Sequence, residues 1–90
     1  MNWQDLVADT NMWIDNFDEG RGGNALDRVV VHHNAGKAMS FSGVYGAFSS
    51  NGTSAHYDVD IDGNICQYVH DSDTAWHCPG VNKKSIGIEH

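Results

Sequence analysis

Two adjacent histidines, His32 and His33, close a run of three valines at positions 29–31. Imidazole titrates nearest neutral pH and is the commonest metal ligand. A strand that ends in histidine can therefore hold a metal or a proton-transfer group on a rigid support. Strand alternation sends the two rings to opposite faces, so both cannot simply bind one ion. The chain has six histidines in all. A solitary strand histidine is more often a hydrogen-bonded polar residue than a ligand, and spacing alone does not choose between the two.

Several other chemistries are excluded by pattern. There is no HExxH pair, no GxSxG nucleophile turn and no glycine-rich phosphate loop; Gly20-Arg21-Gly22-Gly23 lacks both that pattern and a strand before it. Asp58-x-Asp60-x-Asp62-Gly63 opens like a calcium loop, but the position that should supply a bidentate glutamate is Val69, and the flanks read as strands. Cys66 and Cys78 match no zinc-ribbon or CxxC spacing and read more readily as two free thiols than as a bridge.

The elements that must position these groups follow from periodicity. Trp3, Leu6, Val7, Trp13, Ile14 and Phe17 predict an amphipathic helix over 3–17, its aromatic stripe serving as core rather than as a substrate platform. Residues 20–24 are a loop. Residues 28–33 form a strand whose valines imply burial on both faces and a central place in the sheet. Ser40 caps a second helix with Phe41, Val44, Tyr45 and Phe48 at i, i+3, i+4 and i+7. Alternation from Ala55 to Ile61, the Asp62-Gly63 turn and the run from Ile65 to Val69 make a β-hairpin. Its first strand turns Ala55, Tyr57 and Val59 inward and His56, Asp58 and Asp60 outward. A polar turn at 71–74 and an exposed loop at 82–84 lead to a last strand over 85–90 that carries Glu89. A strand ending in Glu89 beside one ending in His32 would set a carboxylate near an imidazole. Two helices interleaved with about four strands give an α/β domain with a mixed central sheet and flanking helices.

Ninety residues make one small domain with a modest core. Five basic against twelve acidic residues, a formal charge of −7, argue against a nucleic-acid partner. No apolar run approaches the length of a membrane span. The N-terminus lacks the basic and apolar regions of a signal peptide, so a protein acting on the outside would leave by another route or by lysis.

Five blocks occur in order: Val29-Val30-Val31-His32-His33-Asn34-Ala35-Gly36, Ser54-Ala55-His56-Tyr57, Asp62-Gly63-Asn64-Ile65-Cys66-Gln67, Asp73-Thr74-Ala75-Trp76-His77 and Ser85-Ile86-Gly87-Ile88-Glu89. Over residues 27–90 the chain resembles the type 2 N-acetylmuramoyl-L-alanine amidases, a family that includes phage amidase-type lysozymes and peptidoglycan recognition proteins. The N-terminal segment bears a weaker likeness to phage and Gram-positive lysins. The resemblance implies a mixed sheet with flanking helices and a Zn2+ site held by two His and one Cys or Asp, with peptidoglycan as substrate. It nominates His32 as a zinc ligand and Glu89 as the general base that orients or deprotonates the attacking water. Where another branch of the family uses a Tyr, this chain has Ala55. Trp76 and His77 match the block that lines the groove, as substrate contacts or as support behind the ligand; a core Trp and a hydrogen-bonded His fit them equally. Asn34 is a weaker substrate contact.

The family's second His, its Cys or Asp ligand and an oxyanion Lys have no counterpart in these residues. The resemblance therefore implies an incomplete domain, 1–90, either the N-terminal part of a longer amidase or a short relative that binds peptidoglycan without cleaving it. On either reading the ninety residues should expose apolar sheet surface and should not hydrolyse peptidoglycan alone.

Overall fold

The computed structural model describes residues 8–33 and 40–90. Seven strands are formed among these residues: β1 (Thr10–Asn11), β2 (Phe17–Asp18), β3 (Arg28–His32), β4 (Tyr57–Val59), β5 (Ile65–Gln67), β6 (Thr74–Ala75) and β7 (Ser85–Glu89). One helix, α1 (Phe41–Asn51), follows β3, and a 3-10 turn over Asn82–Lys84 precedes β7. Five strands form a mixed sheet in the order β1-β5-β4-β7-β3, and β2 pairs antiparallel with β6. The mixed α/β architecture is that expected.

Helix α1 forms where the apolar spacing places it. Ser40 Oγ accepts the N–H of Gly43 at 3.0 Å, which satisfies one of the donors a helix start leaves unpaired. Gly52 closes the other end in the left-handed region at φ 65°, with its N–H on the Phe48 carbonyl. The helix buries Val44 and Phe48 in a core with Ile14, Ala55, Cys66, Tyr68, Val69 and Ala75. Eleven residues with two internal glycines would scarcely be helical alone. The apolar face, worth about 1.5–3 kcal/mol per large side chain, holds it in place.

The hairpin also forms as expected, with Tyr57, Asp58 and Val59 opposite Gln67, Cys66 and Ile65. Two of its three outward residues do not reach solvent. His56 and Asp58 are 0% and 2% exposed, because β4 lies between β5 and β7 with both of its faces covered.

Two further expectations are corrected. Residues 8–17 form no helix, and Trp3, Leu6 and Val7 lie outside the described residues. The segment runs beside β5 instead, with Thr10 paired to Cys66, and the N–H groups of Met12 and Ile14 on the carbonyls of Gln67 and Tyr68. Ile14 reaches the core, whereas Trp13 remains 46% exposed against the His70 ring. Along it Met12 and Ile14 face the core while Asn11, Trp13 and Asp15 are exposed, the two-residue alternation of an extended chain and not the spacing of a helix. The second correction concerns β3, which is an edge strand of the sheet. β7, the last strand in sequence, inserts between β3 and β4, leaving Val29 and Val31 50% and 65% exposed. The apolar sheet surface expected of the chain is this Val29–Val31 stripe.

Candidate active site

One register line crosses the whole sheet. Thr10 lies beside Cys66, Cys66 beside Asp58, Asp58 beside Glu89, and Glu89 beside His32. Residues paired in this way project from the same face, with neighbouring Cβ atoms about 4.5–5.5 Å apart. Parallel pairing of β3 with β7 thus brings His32 and Glu89 together, and the His90 N–H continues the ladder onto the His32 carbonyl at 2.9 Å.

His77 joins them from the turn after β6. Its Nδ1 lies 2.9 Å from His32 Nε2, with the two rings edge to face and their centroids 5.1 Å apart. Its Nε2 lies 3.0 Å from Ser85 Oγ. The turn is clamped by Asn82, whose Oδ1 accepts the N–H groups of both His77 and Cys78. Gly87 makes room for the ring, since a Cβ there would come within 2.7–2.8 Å of three His77 ring atoms. Glycine within a strand marks such close approaches.

The electrostatics of this face are costly. Burial pushes the Glu89 carboxyl above its ordinary value; His32 opposes the shift and Asp58 adds to it. A carboxylate made more basic is suited to taking a proton near neutral pH. Burial, then His32, then Arg21 pull His77 down to about 4, so its ring stays neutral at pH 7.

Arg21 anchors the far side. Its guanidinium donates to the carbonyls of Ser85 (2.7 Å), Asn82 (3.0 Å) and Asp71 (2.8 Å), and lies 3.0 Å from His56 Nε2. His56 in turn accepts the Gly87 N–H on Nδ1 at 3.0 Å and reaches the Asp73 carbonyl from Nε2 at 2.9 Å. Arg21 therefore ties the 20–24 loop to the turn before β6 and to the far end of the turn that carries His77.

Of the residues nominated from sequence, His32, Glu89 and His77 are brought together. Trp76 is half-buried, and its backbone N–H and carbonyl are tied to Ser54. Asn34 lies outside the described residues, and His33 is exposed just past β3. Sequence reasoning missed Asp58, read as solvent-facing, and also Ser85, Gly87 and Arg21. The glycine within the last strand was the one local signal. Cys66 and Cys78 are free thiols. A cavity of 820 Å³ lined by Arg21, Asp27, Arg28 and Asp71 lies at the opposite end of β3 from His32.

Among the described residues no group of three or more His, Cys, Asp or Glu could hold a metal ion. The donor chemistry of His32 fits one zinc ligand, but the described residues do not complete the set. No helix among them is long and apolar enough to cross a membrane.

A family model for N-acetylmuramoyl-L-alanine amidase matches residues 22–90. A search of curated proteins found no match. Three solved structures share the fold. The crystal structure of a selenomethionine AmpD derivative is 23% identical with a TM-score of 0.71, over 93% of this chain and 61% of that one. The N-acetylmuramoyl-L-alanine amidase LysC from Clostridium intestinale URNW is 25% identical with a TM-score of 0.63, over 82% of this chain and 47% of that one. The endolysin amidase LysCS from the same organism is 20% identical with a TM-score of 0.64, over 91% of this chain and 57% of that one. The chain thus spans about half to three-fifths of the length of these structures. With the match covering more than three quarters of its residues, the chain belongs to the N-acetylmuramoyl-L-alanine amidase family.

Proposed function

We propose that this chain carries one side of the active site of a zinc-dependent peptidoglycan amidase, which cleaves the amide between N-acetylmuramic acid and L-alanine. The observation that carries the reading is the register pair of His32 and Glu89 at adjacent ends of β3 and β7. Glu89, made more basic by burial and by Asp58, takes the proton of the attacking water. His32 is proposed as one zinc ligand, and the remaining ligands would come from residues outside those described. Bound zinc would supply a Lewis acid for the scissile carbonyl and lower the pKa of its water. His77 supports His32 from behind, and Trp76 and Asn34 are proposed as substrate contacts. Access to the wall by lysis or another non-classical route belongs to the same proposal, as does the inactivity of residues 1–90 alone.

The test uses the protein translated from the complete reading frame that contains residues 1–90, incubated with purified peptidoglycan. The expected products are new α-amino groups on L-alanine and no new reducing sugar ends. Release should be lost in EDTA or on His32→Ala and restored to the wild type by Zn2+. New reducing ends without alanine amino groups would contradict the reading. Retention on peptidoglycan without any product would favour a non-catalytic binding module.

A further inference from the structure

Hydrogen-bond polarity runs one way from Val81 to His32. Two oxygens 2.8 Å apart need a hydrogen between them, and the Val81 carbonyl can only accept, so Ser85 Oγ–H donates to it. Ser85 Oγ is then the acceptor for His77 Nε2 at 3.0 Å, which places the His77 hydrogen on Nε2. A neutral ring protonated on Nε2 has a bare Nδ1, and across 2.9 Å that nitrogen accepts from His32 Nε2–H. Every member of the chain is held. Ser85 is fully buried, its carbonyl accepts from Arg21 at 2.7 Å, and the His77 ring lies in the space left by the missing Cβ of Gly87.

We infer that Ser85 and His77 are positioning residues that fix the tautomer of His32, with hydrogen on Nε2 and the lone pair on Nδ1 as the nitrogen that binds a divalent metal. The second nitrogen of a metal-binding histidine generally donates to an outer partner that fixes its tautomer, and loss of that partner typically weakens metal binding 10–100-fold. The metal half of the inference rests on the proposed amidase reading; the tautomer does not.

The experiment is 15N NMR of the imidazole rings in the metal-free protein translated from the complete reading frame that contains residues 1–90, at about pH 7.5. The wild type should show hydrogen on Nε2 of both His32 and His77. His77→Asn, which keeps an acceptor near the position of Nδ1, should preserve the His32 tautomer. His77→Leu and Ser85→Ala should leave it a mixture. Hydrogen on His32 Nδ1 in the wild type, or a tautomer indifferent to His77→Leu and Ser85→Ala, overturns the inference, and the wild-type spectrum decides even if a variant fails to fold. Added Zn2+ should shift His32 Nδ1; a shift on Nε2, or none, overturns the ligand assignment. A fixed tautomer in a protein that does not cleave peptidoglycan would count against the proposed function alone.

Discussion

Two polar clusters lie on either side of Ser85 and are built on opposite principles. Around Arg21, one guanidinium is spent on the backbone carbonyls of Asp71, Asn82 and Ser85. Such a knot meets the demand of buried carbonyls for donors and locks a loop to the sheet. Around His32, ionisable side chains are set against one another, with Glu89 between His32 and Asp58 and a neutral His77 against His32. There Glu89 is pushed up and His77 pulled down. The first cluster stabilises the fold, whereas the second is tolerated by it, and groups held away from their ordinary ionisation mark sites of chemistry.

The sharpest way to break this contrast is at Arg21. Arg21→Met strips several carbonyls of their charged donor and should cost about 3 kcal/mol or more, read as a fall in the urea midpoint. A cost below about 1 kcal/mol would mean that the knot is ornamental. Next in size is Gly87→Ala, which drives a Cβ into the His77 ring and should cost about 1–3 kcal/mol. Gly46→Ala, on α1 with open space around it, is the control and should gain up to about 1 kcal/mol.

The smallest effects are pH-dependent and belong to the His32 cluster in EDTA. Burial makes the folded state favour protonated Glu89, so the stability tied to this group is complete at low pH and declines as pH rises through its raised pKa. Glu89→Gln should therefore raise Tm at pH 7.5, and the gap should close by about pH 4. His77 has the opposite sign. Its folded pKa is lowered from 6.5 to about 4, so its contribution is complete above 6.5 and is lost as pH falls between those values. His77→Asn should flatten that part of the stability profile, as followed by thermal melts across pH.

Much of this was legible in the sequence where the signal is local. Ser40 and the spacing of Phe41, Val44, Tyr45 and Phe48 specify α1, and the Asp62-Gly63 turn specifies the hairpin. The order of strands was not legible, because the pairing of residues 28–32 with 85–89 is a contact between distant segments that no local pattern encodes. From that gap came both the central place given to the valine strand and the solvent-facing reading of Asp58. The helix over 3–17 failed for a different reason. Trp13, counted on the apolar stripe, is exposed, and Met12 and Ile14 meet the core two residues apart because the backbone is bonded to the β5 edge.

The central claim is that Glu89 sits beside His32 to do chemistry and not to hold the sheet together. Its most direct measurement is the rate at which the protein from the complete reading frame releases L-alanine amino groups from peptidoglycan, compared between wild type and Glu89→Gln, with Tm recorded on the same samples. The account predicts a fall of roughly 10²–10⁴-fold, the range for loss of a general base, together with an equal or higher Tm at pH 7.5. A rate within a few-fold of wild type, or a loss of activity that tracks a lower Tm, would contradict it.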